Sequence, residues 1–287
     1  MSDPAQRLKA ERFRELHQRP DVFVVPNPWD AGSARILAAL GFEALATTSA
    51  GLAFSLGLRD AEGALTRDQA LVNAEAIVAA TPLPVSADLE NGFADAPEEV
   101  AATIRLAAAT GLVGGSIEDA TGNPNRPIYD FALAVERIAA AVEAAHSLPF
   151  PFTLTARAEN FLHGGPNLDD TIRRLQAFED VGADVLYAPG LRDRGDIATL
   201  CRSVGKPVNV VMGLQGGNLT LAELAELGVR RVSVGSALAR AALARLVRGA
   251  EEIRKHGTFT FADDALSFAE VNGFMAGAPA PGPAPRS

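Results

Sequence analysis

The chain has 287 residues, of which 48% are apolar and 21% are charged, and its formal net charge is −9. This composition permits a large buried core, and the length suits a single α/β barrel domain. The negative charge and the lack of a basic stretch argue against nucleic acid or an anionic membrane surface as a partner. Cys201 is the only cysteine, which excludes an internal disulfide and a thiolate metal cluster.

The N-terminal segment is too charged for a signal peptide, and no apolar run is long enough to span a bilayer. A soluble, cytoplasmic protein without membrane contacts is therefore expected.

Strands and helices alternate along the chain. A first helix is expected over Pro4–His17. Thr66 with Gln69 and Thr220 with Glu223 form capping boxes that open two later helices. The eight expected strands are Val22–Val25, Ala44–Thr48, Pro84–Ala87, Gly114–Glu118, Phe152–Arg157, Asp184–Tyr187, Pro207–Met212 and Val229–Val234. Their apolar character and the helix after each one predict a closed (β/α)8 TIM barrel. The glycine motif of dinucleotide-binding folds does not follow the first strand, and this excludes the alternative of an open, doubly wound dinucleotide-binding fold.

Two helical pieces follow the eighth strand. Leu238–Lys255 completes the last barrel unit, and Phe261–Phe274 is an additional apolar helix. That helix is too apolar to stand in water alone, so we expect it to pack on the barrel or on another subunit. Residues 1–277 are thus predicted to form one barrel domain with a C-terminal extension, and 278–287 a disordered Pro-rich tail.

Acidic residues gather where two neighbouring strands end. Asp88 and Glu90 follow the third strand, where a period of two would point both the same way. Glu118 and Asp119 end the fourth strand, and Arg157 ends the fifth. Active sites of such barrels lie at the carboxyl ends of the strands. Clustered carboxylates are offset most simply by a hard divalent cation such as Mg²⁺, and Arg157 suits an anionic substrate.

Several segments carry a resemblance when they are taken together in order. They are Val25–Gly51, Ser55–Asp60, Ala87–Asp95 (ADLENGFAD), Gly114–Asp119 (GGSIED), Thr155–Phe161 (TARAENF) and Val208–Gly213. The set resembles the isocitrate lyase/phosphoenolpyruvate mutase superfamily. The resemblance implies a barrel enzyme that uses Mg²⁺, or Mn²⁺, to act on 2-oxo acids and related carboxylates. The superfamily's helical swap near the C-terminus also fits the additional helix at Phe261–Phe274. Because that helix would otherwise expose large apolar side chains, we expect a homo-oligomer, a dimer of dimers.

The resemblance also assigns roles to individual residues. Asp88 resembles the direct metal ligand, Glu90 and Glu118 bind through metal waters, and Asp60 orients the water shell. Arg157 resembles the arginine that binds the oxo-acid oxygen, so Asp60, Glu118 and Arg157 are the expected catalytic residues. The substrate-binding residues expected besides Asp88 and Arg157 are Thr48, Ser49, Ala50, Asn123, Asn125, Arg126 and Asn209.

The loop after the fourth strand departs from the superfamily's lyases. Ala120–Pro127 reads ATGNPNRP and lacks the Cys, His and Lys of the isocitrate and methylisocitrate lyases. Arg126 falls near the position of the cysteine acid, and a guanidinium cannot donate a proton near neutral pH. We interpret the loop as a lid in which Asn123, Asn125 and Arg126 bind a distal carboxylate. His146 ends an Ala-rich helix and is interpreted as structural, whereas a site role is possible for His163.

Three functions remain open at this stage. The first is a Mg²⁺-dependent carbon–carbon lyase or decarboxylase for an oxaloacetate-like 2-oxo acid or a related dicarboxylate, acting through an enolate. The second is phosphorus–carbon chemistry of the phosphoenolpyruvate mutase or phosphonopyruvate hydrolase type, which the loop disfavours. The third is a 2-oxo acid binding protein without turnover, consistent with a loop that carries no acid, base or nucleophile.

Overall fold

A computed structural model describes residues 3–60, 63–163, 165–214 and 219–277. Its eight strands are β1 (Phe23–Val25), β2 (Leu45–Ala46), β3 (Val85–Asp88), β4 (Gly114–Glu118), β5 (Thr153–Arg157), β6 (Val185–Tyr187), β7 (Val208–Val211) and β8 (Arg231–Ser233). All pairings are parallel, in the order β1-β8-β7-β6-β5-β4-β3-β2. The Ala46 amide donates to the Pro26 carbonyl at 3.2 Å and joins the two ends of the sheet. The predicted TIM barrel is confirmed.

Helices separate the strands and cover the outside of the barrel. They are α1 (Pro4–Gln18), α2 (Ala31–Ala39), α3 (Ser49–Ser55), α4 (Arg67–Ala80), α5 (Pro97–Ala109), α6 (Phe131–His146), α7 (Leu168–Asp180), α8 (Arg194–Ser203), α9 (Leu221–Glu226), α10 (Ala237–His256) and α11 (Phe268–Met275). The capping boxes expected at Thr66 and Thr220 both form. Side chains of the cap residues satisfy amides that the first helical turn leaves free.

Two elements differ from the sequence prediction. The second strand was predicted to extend to Thr48, whereas β2 ends at Ala46 and Thr48 caps the short helix α3. The single helix expected over Phe261–Phe274 is interrupted: a 3-10 helix covers Thr260–Asp264, and α11 starts only at Phe268. Ser267 and Glu270 form a capping box that starts α11 at Phe268. The helix begins there, although the apolar pattern continues before it.

The barrel interior is partly polar. Arg231 on β8 donates to Thr155 Oγ1 on β5 at 2.9 Å, although these strands are not neighbours in the sheet. Such a bond can only cross the interior. Asn209 on β7 accepts from Arg231 Nε at 2.8 Å and donates to Ser233 Oγ at 3.0 Å. The apolar core lies mainly between the sheet and the outer helices.

Helix α1 closes the amino-terminal end of the barrel. Phe13 is fully buried and lies against Gly114, where an added Cβ would come within 3.0 Å of the Phe13 ring and 2.8 Å of the Thr153 carbonyl. Only glycine leaves room for both contacts. The carboxyl end of the barrel, at the opposite side, is left open for a site.

The C-terminal extension exposes large apolar side chains. Phe268 is 91% exposed and Phe259 is 64% exposed in the single chain. The predicted tail at 278–287 lies outside the described residues. In the described part of the chain, no helix has both the length and the apolar character needed to cross a membrane.

Candidate active site

Asp88 ends β3 and is held by the segment that follows β2. Its Oδ2 accepts from Ser49 Oγ at 2.8 Å and from the Ser49 amide at 3.2 Å. The Asp88 amide donates to Thr47 Oγ1 at 3.0 Å. Ser49 is the first residue of α3, so the amino end of that helix, which carries partial positive charge, faces the carboxylate. The unexpected helix is therefore what orients Asp88.

Arg157, at the end of β5, joins three carboxylates. Its guanidinium contacts Asp88 at 2.8 Å, Glu118 at 3.1 Å and Glu159 at 2.7 Å. Glu118 ends β4, so residues from β3, β4 and β5 meet at one point as predicted. Two of these contacts are hydrogen bonds, from Nε to Glu159 and from Nη1 to Asp88, and the contact of Nη2 with Glu118 is an ion pair. The guanidinium has five N–H donors, so donors remain for a substrate oxygen.

Glu90 was expected to point the same way as Asp88 because of the strand period, but a turn rather than the strand sets its position. The strand stops at Asp88, and Glu90 has a positive φ of 47°. The strand period therefore does not set its direction. Its carbonyl accepts from the Glu118 amide at 2.9 Å, which ties the turn to β4. Burial, followed by repulsion from Asp88 and Asp60, raises the pKa of Glu90 to about 7.

The cluster carries more negative charge than its own cation offsets. Four carboxylates (Asp88, Glu90, Glu118 and Glu159) surround one guanidinium, which leaves a net charge of −3 if all are ionised. Burial raises the pKa of Glu118 well above its usual value, and that of Glu159 to about 7, although Arg157 opposes both shifts. Burial lowers the pKa of Arg157, but the three carboxylates together raise it well above its ordinary value.

This excess charge fits a divalent cation. Within the described residues, no three acidic, histidine or cysteine side chains form a ready-made metal cage. Mg²⁺ does not need one, because it is commonly bound through one or two carboxylates while it keeps several waters. Asp88 as a direct ligand, with Glu90 and Glu118 further out, matches that pattern. When bound, the ion would act as a Lewis acid toward a substrate carbonyl.

Two further groups lie at the mouth of the site. Asp60 is exposed after α3, and its charge acts on both Glu90 and His163. His163 Nε2 lies 3.9 Å from Glu159 Oε2. Burial and then Arg157 lower the pKa of His163. A cleft of about 620 Å³ opens beside Glu90 and is lined by Arg67, Asn91 and Asp95 among others.

The predicted lid is a compact hairpin. Ala120 and Ile128 form an antiparallel bridge, and the Thr121 amide donates to the Pro127 carbonyl at 2.9 Å. Asn123 Oδ1 accepts from the Asn125 amide at 2.9 Å. Asn123, Asn125 and Arg126 are all exposed. Among the described residues, no hydrogen bond links these three side chains to the acidic cluster, so their role in binding stays a prediction.

The remaining predicted substrate residues occupy two places. Thr48 and Ala50 flank Ser49 beside Asp88, at the amino end of α3. Asn209 was expected at the carboxyl end of its strand, but it does not lie there. It is the second residue of β7, is 1% exposed, and its side chain is bonded to Arg231 and Ser233. The side-chain groups of Asn209 that were expected to bind the substrate are hydrogen-bonded to these two neighbours instead.

A buried pair of charged residues, Asp119 and Arg174, lies next to the cluster. The sequence pattern indicated Asp119 but not Arg174. Asp119 Oδ1 accepts from the Glu159 amide at 2.8 Å, and its Oδ2 pairs with Arg174 at 3.1 Å. Glu159 and Asp119 could be located as acids at strand ends. Arg174 lies on α7 and carries no such signal. The bond from the Glu159 amide fixes the backbone that follows Arg157.

The structure shows an acidic cluster around Arg157 at the carboxyl end of a TIM barrel, and the comparisons with known proteins can be set beside it. The sequence family described as phosphoenolpyruvate phosphomutase matches residues 13–254. The chain belongs to this family, and so to the isocitrate lyase/phosphoenolpyruvate mutase superfamily of enzymes. The prediction of that superfamily is confirmed.

Three relatives illustrate the range. A crystal structure of a candidate lyase/mutase from Burkholderia cenocepacia is 61% identical, with a TM-score of 0.94, and the match covers 96% of this chain and 100% of that one. The 2,3-dimethylmalate lyase of Eubacterium barkeri is 28% identical over 76% of this chain and 75% of its own length. Oxaloacetate acetylhydrolase, solved with its product oxalate, is 26% identical, with a TM-score of 0.85 and 96% of each chain covered.

Proposed function

We propose that the protein is a Mg²⁺-dependent carbon–carbon lyase that cleaves or decarboxylates a 2-oxo acid or related dicarboxylate, with oxaloacetate as the first substrate to test. The observation that carries the proposal is the Arg157 guanidinium, held among Asp88, Glu118 and Glu159 with N–H donors to spare. The oxygen of a 2-oxo acid can accept from those donors. Mn²⁺ is a suitable alternative metal for the same oxygen ligands.

Arg157 performs the main electrostatic step. When the bond beyond the substrate carbonyl breaks, negative charge collects on the carbonyl oxygen. A guanidinium that is already oriented by three carboxylates stabilises that charge without reorganising, and such contacts contribute a few kcal/mol to the transition state. Ser49 holds the other side of Asp88, and we assign binding of the substrate carboxylate to the segment Thr48–Ala50.

The reaction also needs a way to protonate the enolate. The loop at 120–127 offers no acid. In a decarboxylation the CO₂ leaves without a general acid, and the enolate that remains takes its proton from solvent water, which suits a loop without an acid. The superfamily relatives that act on oxaloacetate and on 2,3-dimethylmalate support a dicarboxylate substrate. Arg126, in the exposed hairpin, is the side chain we assign to the distal carboxylate when the lid closes.

Phosphorus–carbon chemistry is the second candidate, because the family that matches is described as a phosphomutase. The loop lacks Lys, and β6 ends in Tyr187, followed by Ala188, Pro189 and Gly190 rather than by a histidine. A 2-oxo acid binding protein without turnover is the third candidate. The assembly we propose is a homotetramer, a dimer of dimers that covers the apolar C-terminal extension, and the proposed location is the cytoplasm.

The test is a substrate panel on the purified protein. Oxaloacetate, 2-oxoglutarate, malates, pyruvate and phosphonopyruvate are each assayed with Mg²⁺ and with a chelator, and pyruvate, CO₂, oxalate and phosphate are measured. Mg²⁺-dependent loss of a dicarboxylate supports the proposal. Phosphate release from phosphonopyruvate supports the second candidate instead. Stabilisation by a 2-oxo acid in a thermal-shift assay, with no product from any compound, supports the third.

A further inference from the structure

A second cleft lies at the opposite end of the barrel from the acidic cluster. It has a volume of about 600 Å³ and is bordered by α1, by the end of α6 and by the segments that lead into β5, β6 and β7. Thr153, which lines it, begins β5, whereas Arg157 ends that strand. At about 3.3 Å per residue, the two sites are on the order of 13 Å apart along the strand. The cleft is therefore not part of the site described above.

Basic side chains from three separate parts of the chain line this cleft. Arg14 comes from α1, His146 is the last residue of α6, and Lys206 precedes β7. Together with Arg7, which pairs with Glu11, they line the cleft, and Asp184 is the one acid that does so. Within the part of the chain that the structure describes, no ion pair within 4.0 Å joins Arg14, His146 or Lys206 to a carboxylate. In a chain of net charge −9, this concentration of positive charge is unusual.

Asp184 offsets only part of this positive charge, because it is one carboxylate beside several basic side chains. Its Oδ2 accepts from the Leu154 amide at 2.8 Å, so the carboxylate is bound to the start of β5. Burial raises the pKa of Asp184, while the Leu154 amide, His146, Lys206 and Arg14 oppose that shift. The same three basic side chains thus act on one carboxylate from three parts of the chain.

A buried cation, Arg231, lies behind His17, one of the residues that line the cleft. His17 lines the cleft, donates from Nδ1 to the Phe13 carbonyl at 2.8 Å, and accepts at Nε2 from Arg231 at 3.3 Å. The other side-chain partners of Arg231 are Asn209 and Thr155, which are both neutral. A guanidinium inside the barrel without a carboxylate beside it carries uncompensated positive charge. An anion in the cleft would lie on the far side of His17 and would offset part of that charge.

We propose that this cleft is a binding site for a small, multiply charged anion, either a polyphosphate or a polycarboxylate. Arg14 and Lys206 are the principal contacts: a guanidinium offers a planar pair of donors, and an ammonium binds phosphate or carboxylate as a point charge. The volume lies within the range of small-molecule sites, so an organic portion can be accommodated between the cations. His146, interpreted as structural from the sequence alone, becomes a third contact.

The experiment is calorimetric titration of the full chain, in metal-free buffer, with pyrophosphate in one arm and citrate in the other. Wild type is compared with the double variant Arg14→Gln/Lys206→Gln, and with a control, Arg105→Gln/Arg202→Gln, that removes two exposed cations elsewhere. We expect the cleft variant to bind at least about tenfold more weakly, a loss of about 1.4 kcal/mol, and the control to match wild type. Loss of pyrophosphate binding assigns a polyphosphate, and loss of citrate binding assigns a polycarboxylate.

Three outcomes would overturn the proposal. They are no binding of either probe to wild type, equal binding in wild type and the cleft variant, and equal loss in the cleft variant and the control. The second would place the anion at the acidic cluster or elsewhere, and the third would reduce the effect to net charge. Circular dichroism checks that the double variant is folded, and the single variant Lys206→Gln replaces it otherwise.

Discussion

Arg157 on β5 bonds to Asp88 on β3 across the intervening strand β4, with 2.8 Å between Nη1 and Oδ1. The proposed metal ligand is therefore already paired with a protein cation. A divalent cation at Asp88 would share that carboxylate with the guanidinium, and the two positive charges would repel each other. Metal affinity and the position of Arg157 are expected to be linked.

Replacing Arg157 tests this link. Arg157→Gln should bind Mg²⁺ more tightly than wild type, because a competing cation is gone, and yet lose at least about 100-fold in kcat. Without metal, the variant should be less stable by about 3–5 kcal/mol, since buried carboxylates lose their partner. Calorimetry with Mg²⁺, urea unfolding and steady-state kinetics measure the three effects. Arg105→Gln, an exposed site on α5, is the matched control. Weaker Mg²⁺ binding in the Arg157 variant would contradict the linkage.

Asp88→Ala should abolish Mg²⁺-dependent activity and leave the barrel folded. Arg157 keeps Glu118 and Glu159 as partners, so its guanidinium does not become an unpaired buried charge when Asp88 is removed. Activity with and without Mg²⁺ is compared with the thermal unfolding midpoint, and Glu136→Gln on the exposed face of α6 serves as the control. Glu90→Gln and Glu118→Gln should each cost less, because these residues are expected to act through waters. Normal turnover in the Asp88 variant would place the metal elsewhere.

The stability of the metal-free protein should depend on pH because Glu90 has a pKa of about 7 in the folded chain. A carboxyl whose folded pKa is raised holds its proton more tightly when folded. Its contribution to stability is full below its ordinary pKa of 4.5 and is lost as pH rises through about 7. Glu159 acts in the same direction. The free energy of unfolding should fall by on the order of 1–3 kcal/mol for Glu90 over this range.

Urea unfolding in the presence of a chelator measures this slope at a series of pH values. Glu90→Gln should make the dependence shallower, since the amide does not titrate. Saturating Mg²⁺ should reverse part of the loss above pH 7, because metal and proton compete for the same carboxylates. A dependence on pH between 4.5 and 7 that is unchanged in Glu90→Gln is incompatible with the raised pKa of Glu90.

Arg126 allows a test of the lid. Arg126→Ala should weaken binding of oxaloacetate or 2-oxoglutarate far more than binding of pyruvate, because only the dicarboxylates offer a distal carboxylate. A surface ion pair would contribute at most about 1 kcal/mol and would not discriminate between them. Dissociation constants for each acid, measured with Mg²⁺, decide the question. Equal losses for both ligand classes, or none for either, would remove Arg126 from the substrate site.

The C-terminal extension predicts assembly. Phe259, Leu266 and Phe268 are between 55% and 91% exposed in the single chain. Covering them removes apolar area from water at about 25 cal/mol per Å². Light scattering should give the mass of a tetramer for the full chain. Truncation before Thr258 should give a smaller and less soluble species, and a monomeric full chain would refute the prediction.

The barrel itself could be predicted from local information. Apolar strands, capping residues such as Thr66 and Thr220, and the regular alternation of elements are encoded within short windows of sequence, and each was found where it was expected. Parallel strands with intervening helices bring their carboxyl ends to one face. The grouping of Asp88, Glu118 and Arg157 followed from that rule and is observed.

Features that depend on distant residues could not be found in this way. Glu90 joins the cluster through a left-handed turn rather than through the strand period. The helix at Ser49 orients Asp88 from another strand, and Asn209 is drawn into the interior by Arg231. The cationic cleft combines Arg14 and Lys206, which are far apart in sequence. Side-chain direction and charge balance depend on three-dimensional neighbours, so only the folded barrel decides them.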